Sequence, residues 1–166
     1  MKKLFIMMLM LAPMAAFAQS PKFGHVNSQE IIQAMPEFAK ARTELEALGK
    51  QYEADLKSMQ EEIQKKSEAY DKEQATLPAN IKQRREQELQ DMYQKYQQSA
   101  QDNQQAMAAA QQEKMQAITT KVLDAIKQVG TAGGYVYIMD ITSGIPYIST
   151  TLSTDLTSEV KKKLGL

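Results

Sequence analysis

Apolar residues recur at spacings of three, four and seven along two long polar stretches, and the pattern predicts two helices facing each other across Leu77-Pro78. The outgoing stretch covers about 37–75, the return stretch about 79–129. Neither holds an internal proline, and Gly49 is the one interruption. The outgoing seam reads Phe38, Ala41, Leu45, Leu48, Tyr52, Leu56, Met59, Ile63, Tyr70 and Leu77, with Lys66 and Glu73 breaking it near its far end. Proline disfavours helix at the residue before it and suits the first turn of a new one, so the chain is expected to double back there. Folding at that point sets Leu45 against Ala110, Met59 against Tyr96 and Ile63 against Met92. At about 1.5 Å per residue each arm reaches roughly 60 Å, longer than a domain of this size is wide, so the arms should project into solvent.

The two ends of the chain have a different texture. Phe23-Gly24-His25-Val26 predicts a short strand, and Asn27 with Glu30 three residues on forms a capping box that opens a helix. Pro36 kinks that helix or restarts it. Gly130, Gly133 and Gly134 stop the return helix, and Tyr135-Val136-Tyr137-Ile138-Met139 predicts a strand. Ile145-Pro146-Tyr147-Ile148-Ser149 predicts another, at an edge because of its proline. Residues 153–155 cap a last helix over 156–164, whose final turns carry Lys161, Lys162 and Lys163. The expected fold is α+β, mostly α: a long antiparallel helical hairpin, or coiled-coil arm, projecting from a small β-rich oligomerisation body. The divisions are a signal peptide at 1–18, a body part at 19–35, the arm at 36–129 with its tip near 76–80, and a second body part at 130–166. So small a core is expected to be completed by other subunits.

The first residues set the compartment. Met1-Lys2-Lys3, an apolar run from Leu4 to Phe17 and the Ala16-Phe17-Ala18 cleavage motif predict a cleaved secretory leader, too short to be a membrane span. The absence of cysteine removes disulfides, thiol chemistry and a lipid anchor. A soluble protein of the periplasm is expected. Lys2 and Lys3 leave with the leader, so 18 of the 20 basic residues remain against all 20 acidic ones. Such a balance gives no argument for nucleic acid.

No constellation for catalysis stands out. His25 is the single histidine and lies inside a predicted strand, so no His–carboxylate or metal-binding pair can be assembled around it. No phosphate-binding glycine motif occurs. The expectation is therefore a non-enzyme with no catalytic residues, no cofactor and no metal. Lys82, Arg84 and Arg85 lie just beyond the turn, with Lys65, Lys66 and Lys72 across from them. They are contact candidates for acidic groups, lipid headgroups among them, set against a plain solvated face that pairs with Asp71, Glu73, Glu86 and Glu88. Met59, Tyr70, Leu77, Met92, Tyr93 and Tyr96 are the adaptable and aromatic arm residues, and the candidates for weak contact with unfolded chains. Tyr93 falls off the seam and should face outward.

The order of a leader, the segment from Phe23 to Glu37, a charged helical hairpin and the tail strand Tyr135-Val136-Tyr137-Ile138-Met139-Asp140 resembles the Skp/OmpH-like family of periplasmic chaperones. The resemblance spans the mature chain. It implies a homotrimer built on residues near 22–35 and 130–166, with three hairpins around a cavity. It further implies an ATP-independent holdase that keeps unfolded outer-membrane proteins from aggregating before membrane insertion, and contact with lipopolysaccharide or a membrane surface through Lys82, Arg84 and Arg85. One departure stands out: the best-known members have strongly basic arms, whereas residues 37–129 here hold 14 Lys and Arg against 16 Asp and Glu. The competing expectation is a coiled-coil structural or adaptor protein of the envelope that docks one folded partner.

Overall fold

Helical sequence without internal proline runs uninterrupted into two long helices, and short β-prone segments form one small sheet. The computed structural model describes residues 20–166; the expected leader lies outside the described residues. The chain divides into two compact units, residues 20–34 with 121–166, and residues 35–120.

The first unit holds a three-stranded sheet. β1 (Lys22–Val26) is central and pairs in parallel with β2 (Tyr135–Asp140) on one side and β3 (Ser153–Asp155) on the other. Helix α1 (Ser28–Ala34) follows β1, and its start carries the expected cap: Asn27 Oδ1 accepts from the Glu30 amide at 3.0 Å. The core is small, formed by Val26, Ile31, Val122, Ala125, Leu156 and Val160. Gly24 is required where β1 meets that core, because a Cβ there would stand 2.6 Å from Leu156 Cδ1. α4 (Thr157–Lys163) packs near α1, joined to it by Lys161 Nζ on Glu30 Oε1 at 2.6 Å and by the Asn27 amide on Thr157 Oγ1 at 3.0 Å.

Two expectations about this unit are corrected. Residues 145–149 form no strand. Pro146 offers no N–H to a ladder, and the place beside β1 is taken by Ser153–Asp155, with Gly24 opposite Thr154 and His25 opposite Asp155. Asp155, expected only as a cap, therefore also belongs to a strand. Its Oδ1 still serves the helix, accepting from the Thr157 amide at 2.9 Å and from Thr157 Oγ1 at 2.6 Å.

The second unit holds the hairpin as far as Thr120; the last turns of the return helix, from Lys121, belong to the first unit. Helix α2 (Pro36–Glu73) begins with Pro36 in its first turn, so the proline restarts the helix rather than kinking it. Helix α3 (Ala79–Gly133) begins after Pro78, whose carbonyl accepts from the Ile81 and Lys82 amides at 3.0 and 2.9 Å. The helices run antiparallel. Lys114 Nζ meets Glu44 Oε2 at 2.5 Å, Tyr70 OH donates to Glu86 Oε1 at 2.5 Å, and Lys66 pairs with Glu88. These pairs share the register that places Ile63 opposite Met92. A Cβ on Gly49 would lie 3.3 Å from Met107 Cε, so the missing side chain makes room for methionine. Among the described residues between Ala41 and Ile118, Ile63 is the one buried side chain. The seam of the hairpin is thin, as its Ala- and Gln-rich sequence predicts.

Candidate functional site

Helical spacing decides which side chains share a flank of the hairpin. Residues seven apart stay on one face, with a drift of about 20° per heptad. On α2, Gln60, Gln64 and Ser67 stand to one side of Ile63, and Met59, Glu62 and Lys66 to the other. On α3, Tyr93 and Gln97 stand with the first group, and Glu88, Met92 and Lys95 with the second. Each flank carries a hollow. Gln60, Ile63, Gln64, Tyr93, Tyr96 and Gln97 line one of about 460 Å³, with Glu68 at its rim held by Gln64 Nε2 at 2.9 Å. Met59, Glu62, Ile63, Lys66, Glu88 and Lys95 line the other, of about 220 Å³.

The six arm candidates therefore do not form one site. Met59 and Met92 lie half-buried on the charged flank. Tyr93, half exposed, and Tyr96, half-buried, lie on the uncharged one. Tyr70 and Leu77 sit half-buried nearer the turn. Tyr70 is also committed to Glu86: partial removal from water and then that hydrogen bond push its hydroxyl up to about 12. The amide side chains of Gln60, Gln64 and Gln97 were not anticipated as site residues; their shared flank is readable only once the register between the helices is known.

The tip cations stand among acids. Lys66 bonds Glu88 and is the main reason its carboxyl lies below the usual range, with Arg85 and Arg84 adding to the effect. Arg84 shares its surface with Glu88, Asp91 and Lys95. Lys82 is half-buried, whereas Arg84 and Arg85 are exposed.

The sheet of the first unit presents a second surface. Along β1, Gly24 and Val26 face the core, so Phe23 and His25 face away from it. Phe23 stacks on Tyr137 at 4.9 Å between ring centroids. With Met139, Ile145, Tyr147, Ile148 and Leu152 these residues line a hollow of about 290 Å³. Tyr147 and Leu152 are 79% and 74% exposed on this surface, with Tyr137 and Met139 exposed beside them. His25 Nδ1 is engaged with Ser153 Oγ at 2.8 Å, between β1 and β3.

At the junction of β2 and α1, Asp140 gathers three donors: Ser28 Oγ at 2.5 Å and the amides of Thr142 at 3.1 Å and Ser28 at 3.3 Å. Burial pushes its carboxyl up, but these bonds outweigh it and hold the group below its ordinary value. Thr157 does the same for Asp155, helped by His25. Among the described residues no three His, Asp or Glu gather where a metal ion could be held, and no helix is long and apolar enough to cross a membrane.

This architecture and sequence have relatives. The chain is 26% identical over 156 residues to chaperone protein Skp of Pectobacterium atrosepticum, covering 94% of this chain and 93% of that one. It is 31% identical over 156 residues to chaperone protein Skp of Yersinia pseudotuberculosis, with the same coverage. Among solved structures, an OmpH-like protein from Caulobacter crescentus superposes with a TM-score of 0.75 at 17% identity, covering 87% of this chain and 84% of that one; at that identity the likeness speaks for the fold. The family model described as outer membrane protein (OmpH-like) matches residues 22–164, and the chain belongs to the OmpH-like family.

Proposed function

We propose that the protein is an ATP-independent holdase of the periplasm that binds unfolded outer-membrane proteins and prevents their aggregation before insertion. The observation that carries this reading is the hairpin itself. Its seam buries one side chain between Ala41 and Ile118, so tyrosine and methionine along it stay partly open to solvent. Polarizable methionine and amphipathic tyrosine suit contacts with many sequences. Many weak contacts on several arms add up to firm retention, while each releases readily. Holding strand-forming segments apart blocks the edge pairing that starts aggregation.

The assembly is proposed as a homotrimer whose copies meet through the apolar sheet face formed by Phe23, Tyr137, Met139, Tyr147 and Leu152, with clients held between their hairpins. Membership of the family supports this, and so does the exposure of that face in the single chain. Contact of Lys82, Arg84 and Arg85 with lipopolysaccharide or a membrane surface is proposed as well; Glu88 offsets part of the charge of Arg84 and Arg85, and Asp91 shares the surface of Arg84. The near balance of charge on 37–129 argues that capture here relies on apolar and polar contacts more than on attraction of acidic clients.

The test is to dilute a urea-unfolded outer-membrane β-barrel into buffer with and without the protein, and to follow light scattering in the absence of ATP. Suppression at one trimer per client supports the proposal. Unchanged aggregation at a several-fold excess refutes it.

A further inference from the structure

The two flanks of the hairpin differ in a way that assigns them different work. At the level of Ile63, the Tyr93–Tyr96 hollow is lined by two tyrosines, one isoleucine and the amides of Gln60, Gln64 and Gln97, with Glu68 as its only ionised neighbour. The hollow across the hairpin is lined by Glu62, Lys66, Glu88 and Lys95 beside two methionines. On α3 the division extends over the middle of the helix, up to Lys114, whereas on α2 Glu53 and Lys57 stand one heptad before Gln60 and Gln64, so the uncharged stretch centres on the level of Ile63. Tyr93, Gln97, Gln104 and Gln111 follow one another at four, seven and seven residues and share the uncharged flank, while Glu88, Lys95 and Asp102 recur every seven on the charged one.

We infer that the Tyr93–Tyr96 flank is the client-facing side of the hairpin, and that it takes extended, uncharged polypeptide segments bearing aromatic or branched apolar side chains. The inference rests on the holdase reading and names its site. The electrostatics select the occupant. Seating an apolar segment over the charged flank removes water from four ionised side chains, among them the Lys66–Glu88 pair, without giving them new partners. Over the Tyr93–Tyr96 flank the cost is smaller, because Glu68 is the one ionised side chain lining the hollow and Gln64 Nε2 already donates to it. Tyrosine rings offer faces and edges to incoming aromatic side chains. Glutamine offers both a donor and an acceptor, which matches the alternating carbonyl and amide groups of an extended backbone. Tyr93, half exposed, is already directed outward. A strongly charged segment finds a single ionised group there, Glu68, which Gln64 already engages.

The chain contains no cysteine, so a single introduced thiol is a unique handle. Gln60→Cys and Gln97→Cys place it on the uncharged flank, Glu62→Cys and Lys95→Cys on the charged flank; all four positions are exposed and should fold. Each variant is labelled with benzophenone maleimide, mixed with a urea-unfolded outer-membrane β-barrel and irradiated. The expected result is client crosslinking at least about fivefold greater from positions 60 and 97, the ratio that a preference of about 1 kcal/mol produces. Equal or reversed yields, or crosslinks from 60 and 97 to a neighbouring copy in place of client, overturn the assignment while leaving the holdase reading intact. A second arm uses unlabelled protein: Tyr93→Glu should weaken client affinity about fivefold and Lys95→Glu should not. If the unmodified protein fails to suppress client aggregation, the holdase reading falls first and this assignment with it.

Discussion

Replacing Ile63 by alanine should loosen the hairpin without touching the sheet. Ile63 is 4% exposed, so nearly its whole side chain leaves water when α2 and α3 pair. The change removes three carbons, worth about 0.8 kcal/mol each, for a transfer loss near 2.4 kcal/mol. A cavity term would normally add to that. Here the neighbours Met59, Met92 and Tyr96 are half-buried and flexible, so the site can close over the gap and the total should stay near 2.5 kcal/mol. If the hairpin opens locally, amides around residue 63 and opposite it near residue 92 should exchange about 70-fold faster, since each 1.4 kcal/mol is a factor of ten. Hydrogen exchange read by mass spectrometry on peptides spanning 55–70 and 85–100 measures this. Peptides from β1 and β2 serve as the internal control and should keep their protection. A uniform loss across the chain, or no loss near residue 63, would refute the argument that this one side chain staples the middle of the hairpin.

Further outcomes follow from single contacts. Gly24→Ala forces a Cβ within 2.6 Å of the buried Leu156 Cδ1 and should cost about 1–3 kcal/mol of stability, visible as a lowered midpoint in urea. The Asp140 carboxyl lies below its ordinary value in the folded protein, so its contribution is present above the unfolded pKa near 3.9 and disappears as pH falls through the folded one. Asp140→Asn should therefore flatten the acid limb of a stability-versus-pH curve below about pH 4, and a curve parallel to that of the parent protein would contradict the bonds assigned to Ser28 and Thr142. The Tyr70 hydroxyl, pushed up to about 12, should titrate later than free tyrosine in a difference spectrum against Tyr70→Phe, and Glu86→Gln should bring it down.

Much of this fold is written in local pattern. The turn at Leu77-Pro78 is visible because proline both ends one helix and starts the next, and the seam because its apolar residues keep helical spacing. The cap at Asn27 is visible because its acceptor and donor lie three residues apart. β3 is invisible for the opposite reason. Ser153, Thr154 and Asp155 carry no alternating apolar signal, and only backbone pairing with a strand some 130 residues away makes them a strand. The segment Ile145–Ile148 misleads because its apolar residues line a surface hollow in irregular backbone instead of a sheet. The candidate site is intermediate. Tyr93 shows itself by falling off the seam, but the division of the hairpin into charged and uncharged flanks depends on the register that sets Gln60 and Gln64 beside Tyr93 and Gln97.

The proposed function requires that several copies of this hairpin capture one unfolded chain. The direct test is the mass of the complex in solution, measured by light scattering on a sizing column after a urea-unfolded β-barrel is diluted into the protein without nucleotide. One soluble species containing three chains and one client is the predicted result. A client that precipitates or elutes alone, beside a protein of single-chain mass, would contradict it.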